Sequence, residues 1–322
     1  MDKSVIEKNL NKVLDQTDFK NLGERRQGKA RDIYTQPDKI ILIATDRYSA
    51  FDYRNLALIP FKGEVLTQTS RWWFERTADI VPNHVIDFPD PRVVVAKKCR
   101  VIPLEMVVRG YICGVTDTSL WTHYQKGKRD FGDFILSDGM VKNQKLENPV
   151  LTPTTKSEEH DRPISAKEIF DEGIVSEEVW KKISSASVKL YERGLKLANE
   201  RGLILVDTKY EFGMDEEGNV MLIDEIHTPD SSRYWKLNTY NERFSAGLEP
   251  EYFDKEFLRL WFKANCDPYN DPVLPKAPDE LVAEISSRYI QIYEQISGEQ
   301  YKTDIKTPIL ERIEKNLSAY RI

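Results

Sequence analysis

Asp207, Lys209 and Glu211 are spaced two residues apart, so an extended chain puts their side chains on one face. A turn-forming stretch, 215–219, follows them, and the apolar run after it ends in Asp224-Glu225. Paired as a hairpin, the two runs gather several carboxylates and an ammonium. Their sequence neighbours are apolar, which implies a semi-buried sheet where clustered carboxylates need a compensating cation. A Mg²⁺ ion with nucleotide phosphates would supply it, since Mg²⁺ favours one or two carboxylates plus phosphate oxygens. A solvated sheet face with a surface salt bridge is the other reading of the same spacing.

Three further segments carry cations suited to anions. Gly28-Lys29-Ala30-Arg31 offers two positive side chains after a glycine and before a strand, able to clamp phosphates or to form a solvated turn. Arg109 leaves the apolar run 102–108, where a guanidinium calls for a buried carboxylate or phosphate. Thr228-Pro229-Asp230-Ser231-Ser232-Arg233 combines hydroxyls, backbone N–H groups and a guanidinium in one turn, directly after the acidic pair. Neither G-x-x-x-x-G-K-[ST] nor G-x-G-x-x-G occurs. His84, His123, His160 and His227 lack metal-ligand spacing, and no serine or cysteine sits in a nucleophile elbow.

The elements that must position these groups follow from periodicity. Ser4 to Glu7 has capping-box spacing, and Ile6, Leu10, Val13 and Leu14 suggest one helix face. Residues 39–44 and 93–96 are short apolar runs typical of buried strands, with a helix expected over 63–80 between them. Residues 122–165 are polar and are expected to be a long functional loop. Ser176 is a plausible N-cap for a helix ending before Gly202, and 203–206 and 220–223 form the hairpin strands. A helix over 281–297 stops at Gly298. Helices and strands interspersed with hairpins argue for an α+β fold, divided loosely into 1–114, 115–240 and 241–322.

Composition narrows the class. The chain has 322 residues, 40% hydrophobic and 31% charged, an ordinary globular balance. A net charge of −6 disfavours general nucleic-acid binding, which rewards a basic surface. Three cysteines, none in a C-x-x-C pair, fit a reducing compartment. The first twenty residues are charged throughout, so no signal peptide is expected, and no apolar run reaches membrane-span length. Asn316-Leu317-Ser318 matches a glycosylation sequon by chance. A cytoplasmic protein, with no membrane partner, is the expectation; composition is silent on oligomeric state.

Taken together, these segments resemble the SAICAR synthetase family. Ile102-Pro103-Leu104-Glu105-Met106-Val107-Val108-Arg109 and Leu205-Val206-Asp207-Thr208-Lys209-Tyr210-Glu211-Phe212-Gly213 look like its two signature segments. Residues 28–34, Thr45-Asp46-Arg47-Tyr48-Ser49-Ala50-Phe51-Asp52, Gly63-Glu64-Val65-Leu66-Thr67-Gln68 and 224–233 match further stretches in the family's order. The resemblance implies two α+β lobes with the ATP site between them and a C-terminal helical extension. It also implies an ATP- and Mg²⁺-dependent ligase of de novo purine biosynthesis, joining L-aspartate to the carboxylate of carboxyaminoimidazole ribonucleotide (CAIR) through an acyl phosphate.

Residue by residue, it puts Lys29 and Arg31 on ATP phosphates, Lys209 and Glu211 in the nucleotide site, and Asp224 on Mg²⁺. Arg109 and Arg233, with Ser119 and Ser232, would take CAIR's phosphate or ribose. Glu105, Asp207 and Asp161 are candidates near metal or substrate, and 148–156 resembles the substrate-facing loop. One departure stands out: the family commonly has Gly-Ser soon after the Arg109 equivalent, whereas here Gly114 and Ser119 are separated by Val115-Thr116-Asp117-Thr118. Ser119, Thr116 and Thr118 are therefore the three candidates for the family's serine role. A kinase-like phosphotransferase and a non-catalytic nucleotide-binding regulator are the rival readings; the absence of H-R-D and D-F-G segments counts against a protein kinase.

Overall fold

Unbroken apolar runs become buried strands in this chain, and apolar residues recurring every three or four positions become helices with one buried stripe. The structure is a computed structural model that describes the chain except residues 51–52, 116–117, 157–161, 253–255, 269 and 272. Asp2 caps helix α1 (Lys3–Glu7) by accepting from the Ser4 N–H. The expected Ser4 cap is thus displaced by two residues, and the helix stops at Glu7. Leu14 goes to a different core cluster from Ile6, so the two do not share one helical face.

Strands β1 (Glu24–Gln27), β2 (Arg31–Thr35) and β3 (Lys39–Ala44) follow, then the hairpin β4 (Arg47–Ala50) and β5 (Tyr53–Leu58). Helix α2 (Lys62–Thr77) precedes β6 (Val85–Asp90), β7 (Val93–Lys97) and the long β8 (Arg100–Ile112). The polar stretch contains α3 (Leu120–Gln125), β9 (Gln144–Leu151) and β10 (Thr154–Thr155), so it is more regular than expected. Then come α4 (Ala166–Asp171), α5 (Glu177–Glu200), β11 (Leu203–Met214), β12 (Val220–Ile223) and β13 (Ser232–Lys236). Helices α6 (Leu237–Ser245), α7 (Glu256–Asn265), α8 (Asp279–Ser297) and α9 (Ile309–Asn316) close the chain. Ser176 caps α5 as expected, and α8 stops at Gly298, whose φ of 74° suits glycine.

The fold is α+β. One antiparallel sheet runs β1-β2-β3-β7-β6. A second runs β10-β8-β11-β12, with β13 also on β11 and β9 on β8. The boundary expected near Gly114 falls just after β8, whose ladder partners β9, β10 and β11 all follow it. Helix α5 lays Ile183, Leu190 and Tyr191 on one face of this second sheet, against Leu104, Met106 and Val108 of β8.

On β11 the residues facing α5 change parity. Leu203 and Leu205 belong to that core, and so do Tyr210 and Phe212, while Ile204 and Val206 pack on the other side. A register shift between Leu205 and Asp207 accounts for the switch. It turns Asp207, Lys209 and Glu211 away from the core and onto the open face.

The C-terminal helices cover the other half. Val282, Ala283 and Tyr289 of α8 share a core with Val65 and Leu66 of α2. Arg312 of α9 bonds Glu64 at 2.6 Å and Asp90 at 3.0 Å, tying the tail to α2 and β6.

Candidate active site

The open face of the second sheet carries three linked charge clusters. The first is centred on Asp207. In the ladder Asp207 lies opposite Arg109 on β8 and Arg233 on β13. Arg233 Nε donates to Asp207 Oδ1 at 2.8 Å, and its Nη2 donates to Oδ2. Arg109 Nη1 approaches Oδ2 at 3.3 Å, while its Nε donates to Thr152 Oγ1 at 2.8 Å. Burial pushes the Asp207 carboxyl up, but the Arg233 and Arg109 guanidiniums outweigh it and hold the group below the ordinary carboxylate range.

Gly114 explains how the following loop reaches this cluster. Its φ is 96°, and a Cβ there would lie 2.5 Å from Ser119 Cβ and 3.2 Å from an Arg233 nitrogen. Ser119 is therefore beside Arg233 despite the four intervening residues, buried at the start of α3 with its Oγ 2.8 Å from Thr122 Oγ1. Thr118 contributes its carbonyl, which accepts from Arg109 at 3.4 Å. Thr116 lies outside the described residues, as do Phe51 and Asp52 of the 45–52 segment. Ser232 is buried with its Oγ 2.8 Å from Thr208 Oγ1.

The second cluster surrounds Lys209. Glu105 and Glu211 face each other across the β8–β11 ladder, a like-charge pairing that is unfavourable alone. Lys209 Nζ bridges them, at 2.6 Å from Glu105 and 3.3 Å from Glu211. The other Glu211 oxygen accepts from Lys156. Burial opposes the charge on Lys209, but Glu211 and Glu105 overcome it and raise the ammonium above its ordinary range. Lys209 is thus a fixed cation, not a proton acceptor at neutral pH.

The third cluster joins the two sheets. Arg31, at the start of β2, donates from Nη1 to Asp224 Oδ1 at 2.7 Å and from Nη2 to Glu225. Asp224 follows β12 with a φ of 66°, a left-handed conformation that is uncommon outside glycine and clusters at functional sites. Burial raises both carboxyls of this pair. At Asp224 the Arg31 charge prevails and the group ends below its usual range, whereas Glu225 ends above it. His84 sits behind Asp224 with neither ring nitrogen hydrogen-bonded, and burial lowers its pKa to about 4.

The structure therefore brings together Arg31, Glu105, Arg109, Ser119, Asp207, Lys209, Glu211, Asp224, Ser232 and Arg233. Lys29 stands apart: its side chain is exposed, and among the described residues only its carbonyl is engaged, by Arg47 Nε at 3.1 Å and Ser49 Oγ at 3.3 Å. Asp161 lies outside the described residues. Sequence reasoning did not single out Lys156 as a partner of Glu211, nor Lys62, which bonds Asp230 at 2.6 Å. Lys62 immediately precedes the Gly63-Glu64 segment, and that adjacency was its only signal.

The compensating cations expected from a metal are largely supplied by side chains. Glu105, Asp207, Glu211, Asp224 and Glu225 are matched by Arg31, Arg109, Lys156, Lys209 and Arg233, so the ionised clusters sum to zero. Among the described residues no three His, Cys, Asp or Glu side chains form a metal cage. This donor set fits a Mg²⁺ that brings phosphate and water ligands with it and takes one or two protein carboxylates, Asp224 with Glu225 beside it. Among the described residues these clusters carry no surplus positive charge.

A model of the SAICAR synthetase family matches residues 24–275. A phosphoribosylaminoimidazole-succinocarboxamide synthase of Legionella pneumophila is 57% identical over 299 residues, covering 92% of this chain and 96% of that protein. The structure resembles a Saccharomyces cerevisiae SAICAR synthase complexed with SAICAR, with TM-score 0.75 and 31% identity, over 90% of this chain and all of that one. It also resembles a type-2 SAICAR synthetase in complex with ADP, with TM-score 0.66 and 26% identity, over 87% of this chain and all of that one.

Proposed function

The chain belongs to the SAICAR synthetase family, and from that membership we propose how its charge clusters divide the work of an ATP-dependent ligase of purine biosynthesis. The substrates in this reading are ATP, L-aspartate and the ribonucleotide CAIR, and the product is SAICAR. A carboxylate is a poor electrophile until one oxygen becomes a leaving group. The γ-phosphoryl group of ATP therefore passes to a CAIR carboxylate oxygen, releasing ADP. The aspartate amine then attacks the acyl carbon, expelling phosphate and losing a proton.

The nucleotide would lie between the first sheet, which supplies Lys29 and Arg31, and the second, which supplies Lys209 and Glu211. Asp224, with Glu225 beside it, would hold Mg²⁺, which when bound neutralises charge on the transferring phosphoryl group. Arg109 and Arg233 would grip the ribonucleotide phosphate, flanked by Ser119 and Ser232, because a guanidinium fork matches a dianionic phosphate. Asp207 holds both forks aimed in the meantime. Lys209 stays protonated and stabilises negative charge, and Glu105 keeps its ammonium in place. With phosphoryl transfer of this kind, positioning and charge neutralisation do most of the work.

The observation that carries this reading is the separation on one sheet face of a two-guanidinium cluster around Asp207 from an ammonium–carboxylate cluster around Lys209. Two chemically different anions would need such a pair. No helix among the described residues is long and apolar enough to cross a membrane. All three cysteines are free, which supports a cytoplasmic location. The test is phosphate release from ATP in the presence of CAIR, with and without aspartate. Release only with both substrates is expected; release without aspartate at the same rate would favour a phosphotransferase.

A further inference from the structure

We propose that Tyr289, on helix α8 far outside the sheet, is a positioning residue for the ribonucleotide pocket and acts through Asp230. The inference rests on the ligase reading of that pocket. Asp230 lies in the 228–233 turn, directly before Ser231, Ser232 and Arg233. Its Oδ1 accepts from the Tyr289 hydroxyl at 2.5 Å, and its Oδ2 accepts from Lys62 Nζ at 2.6 Å. Lys62 is only 1% exposed and its ammonium lies 5.8 Å from the Tyr289 ring centre, so the three groups are in mutual contact.

The turn itself is tightly drawn. Thr228 Oγ1 accepts from the Asp230 and Ser231 N–H groups, both at 3.2 Å. The next two residues then deliver Ser232 to Thr208 and Arg233 to Asp207. Fixing Asp230 from two sides therefore fixes where the Arg233 strand begins.

A buried Lys–Asp–Tyr set is a costly way to fill space, since apolar side chains of the same volume are often as stable or more so. What the charged set adds is direction: the two Asp230 oxygens are each held by a different element, Oδ1 by Tyr289 of α8 and Oδ2 by Lys62 of α2. Helix α8 is separately anchored, because Ser286 Oγ donates to the Pro60 carbonyl at 2.7 Å, just before α2. The Tyr289 ring also belongs to the α2–α8 core. Removing its hydroxyl should leave that packing intact while deleting the Tyr289–Asp230 hydrogen bond.

The experiment uses the full chain and compares wild type with Tyr289→Phe, Lys62→Met and Ser286→Ala. Calorimetric titrations with SAICAR and with ADP are set beside thermal unfolding. Tyr289→Phe should weaken SAICAR binding about tenfold, the factor that 1.4 kcal/mol produces, with ADP affinity level. Lys62→Met, which deletes the ion pair to the other oxygen, should show the same selective loss. Ser286→Ala should lower the unfolding temperature and leave both affinities level. Unchanged SAICAR affinity in Tyr289→Phe, or a parallel loss of SAICAR and ADP, would overturn the inference. Failure of the wild-type chain itself to bind SAICAR would instead remove the ligase reading and the inference with it.

Discussion

Replacing Asp207 by Asn keeps the shape of the first cluster and deletes the negative charge that Arg109 and Arg233 share. Arg109 and Arg233 are then left facing each other. Arg109 and Asp207 are each 9% exposed, and stripping a partner from such a pair costs about 3–5 kcal/mol. Arg233 is 30% exposed and can turn partly to water, which reduces the expected loss to about 2–4 kcal/mol.

The acid limb gives a second readout. Asp207 titrates below its unfolded value, so its stabilisation is complete above about pH 4 and fades as pH falls through the folded value. Asp207→Asn should lack that contribution, and its stability should fall less steeply under acid than the wild type's. Inorganic phosphate should also protect the variant more, because it restores negative charge between the two guanidiniums. Urea unfolding at several pH values, with and without phosphate, measures all three effects. A stability loss below about 1 kcal/mol, the range of exposed ion pairs, would refute the argument, and so would equal protection by phosphate.

Three other substitutions separate the pockets. Arg233→Lys keeps the charge but loses the two-pronged grip, so SAICAR affinity should fall about tenfold while ADP affinity stays level; the reverse pattern in paired titrations would exchange the pocket assignments. Asp224→Asn should reduce turnover by orders of magnitude with the fold intact, and a variant with normal turnover and normal Mg²⁺ dependence would remove Asp224 from the metal. Lys29→Ala should weaken ATP by roughly 1.5–3 kcal/mol with no change in unfolding temperature, since its exposed side chain makes no ion pair among the described residues; level ATP affinity would leave Lys29 on the solvated surface.

Legibility followed the range of the interactions. β3 and β7 were readable because their runs are apolar on both faces, and α5 because Ser176 and Gly202 punctuate it. β9 was not, because as an edge strand it is half exposed and contains polar residues and Pro149, leaving no alternation to detect. The common face of Asp207, Lys209 and Glu211 followed from strand period alone, but the register shift that aims it away from α5 did not. The mutual pairing of acids with Arg31, Arg109 and Arg233 also escaped, since spacing predicts that charges gather and not which partner each one takes. Tyr289 was visible only as part of an apolar helical stripe; its hydroxyl meets a turn 59 residues earlier in the chain.

The β8–β11 ladder also sets a timetable for the growing chain. β8 ends at Ile112 and β11 begins at Leu203, so synthesis at about 5–20 residues per second separates them by roughly 5–20 s. During that interval Glu105 and Arg109 are already made while Asp207 and Lys209 are not. The β9 and β10 edge can form first, covering one side of β8 and leaving the other as an open row of backbone donors and acceptors. A nascent chain halted between those points would expose an unpaired, apolar strand edge and would be the natural client of a chaperone or a protease.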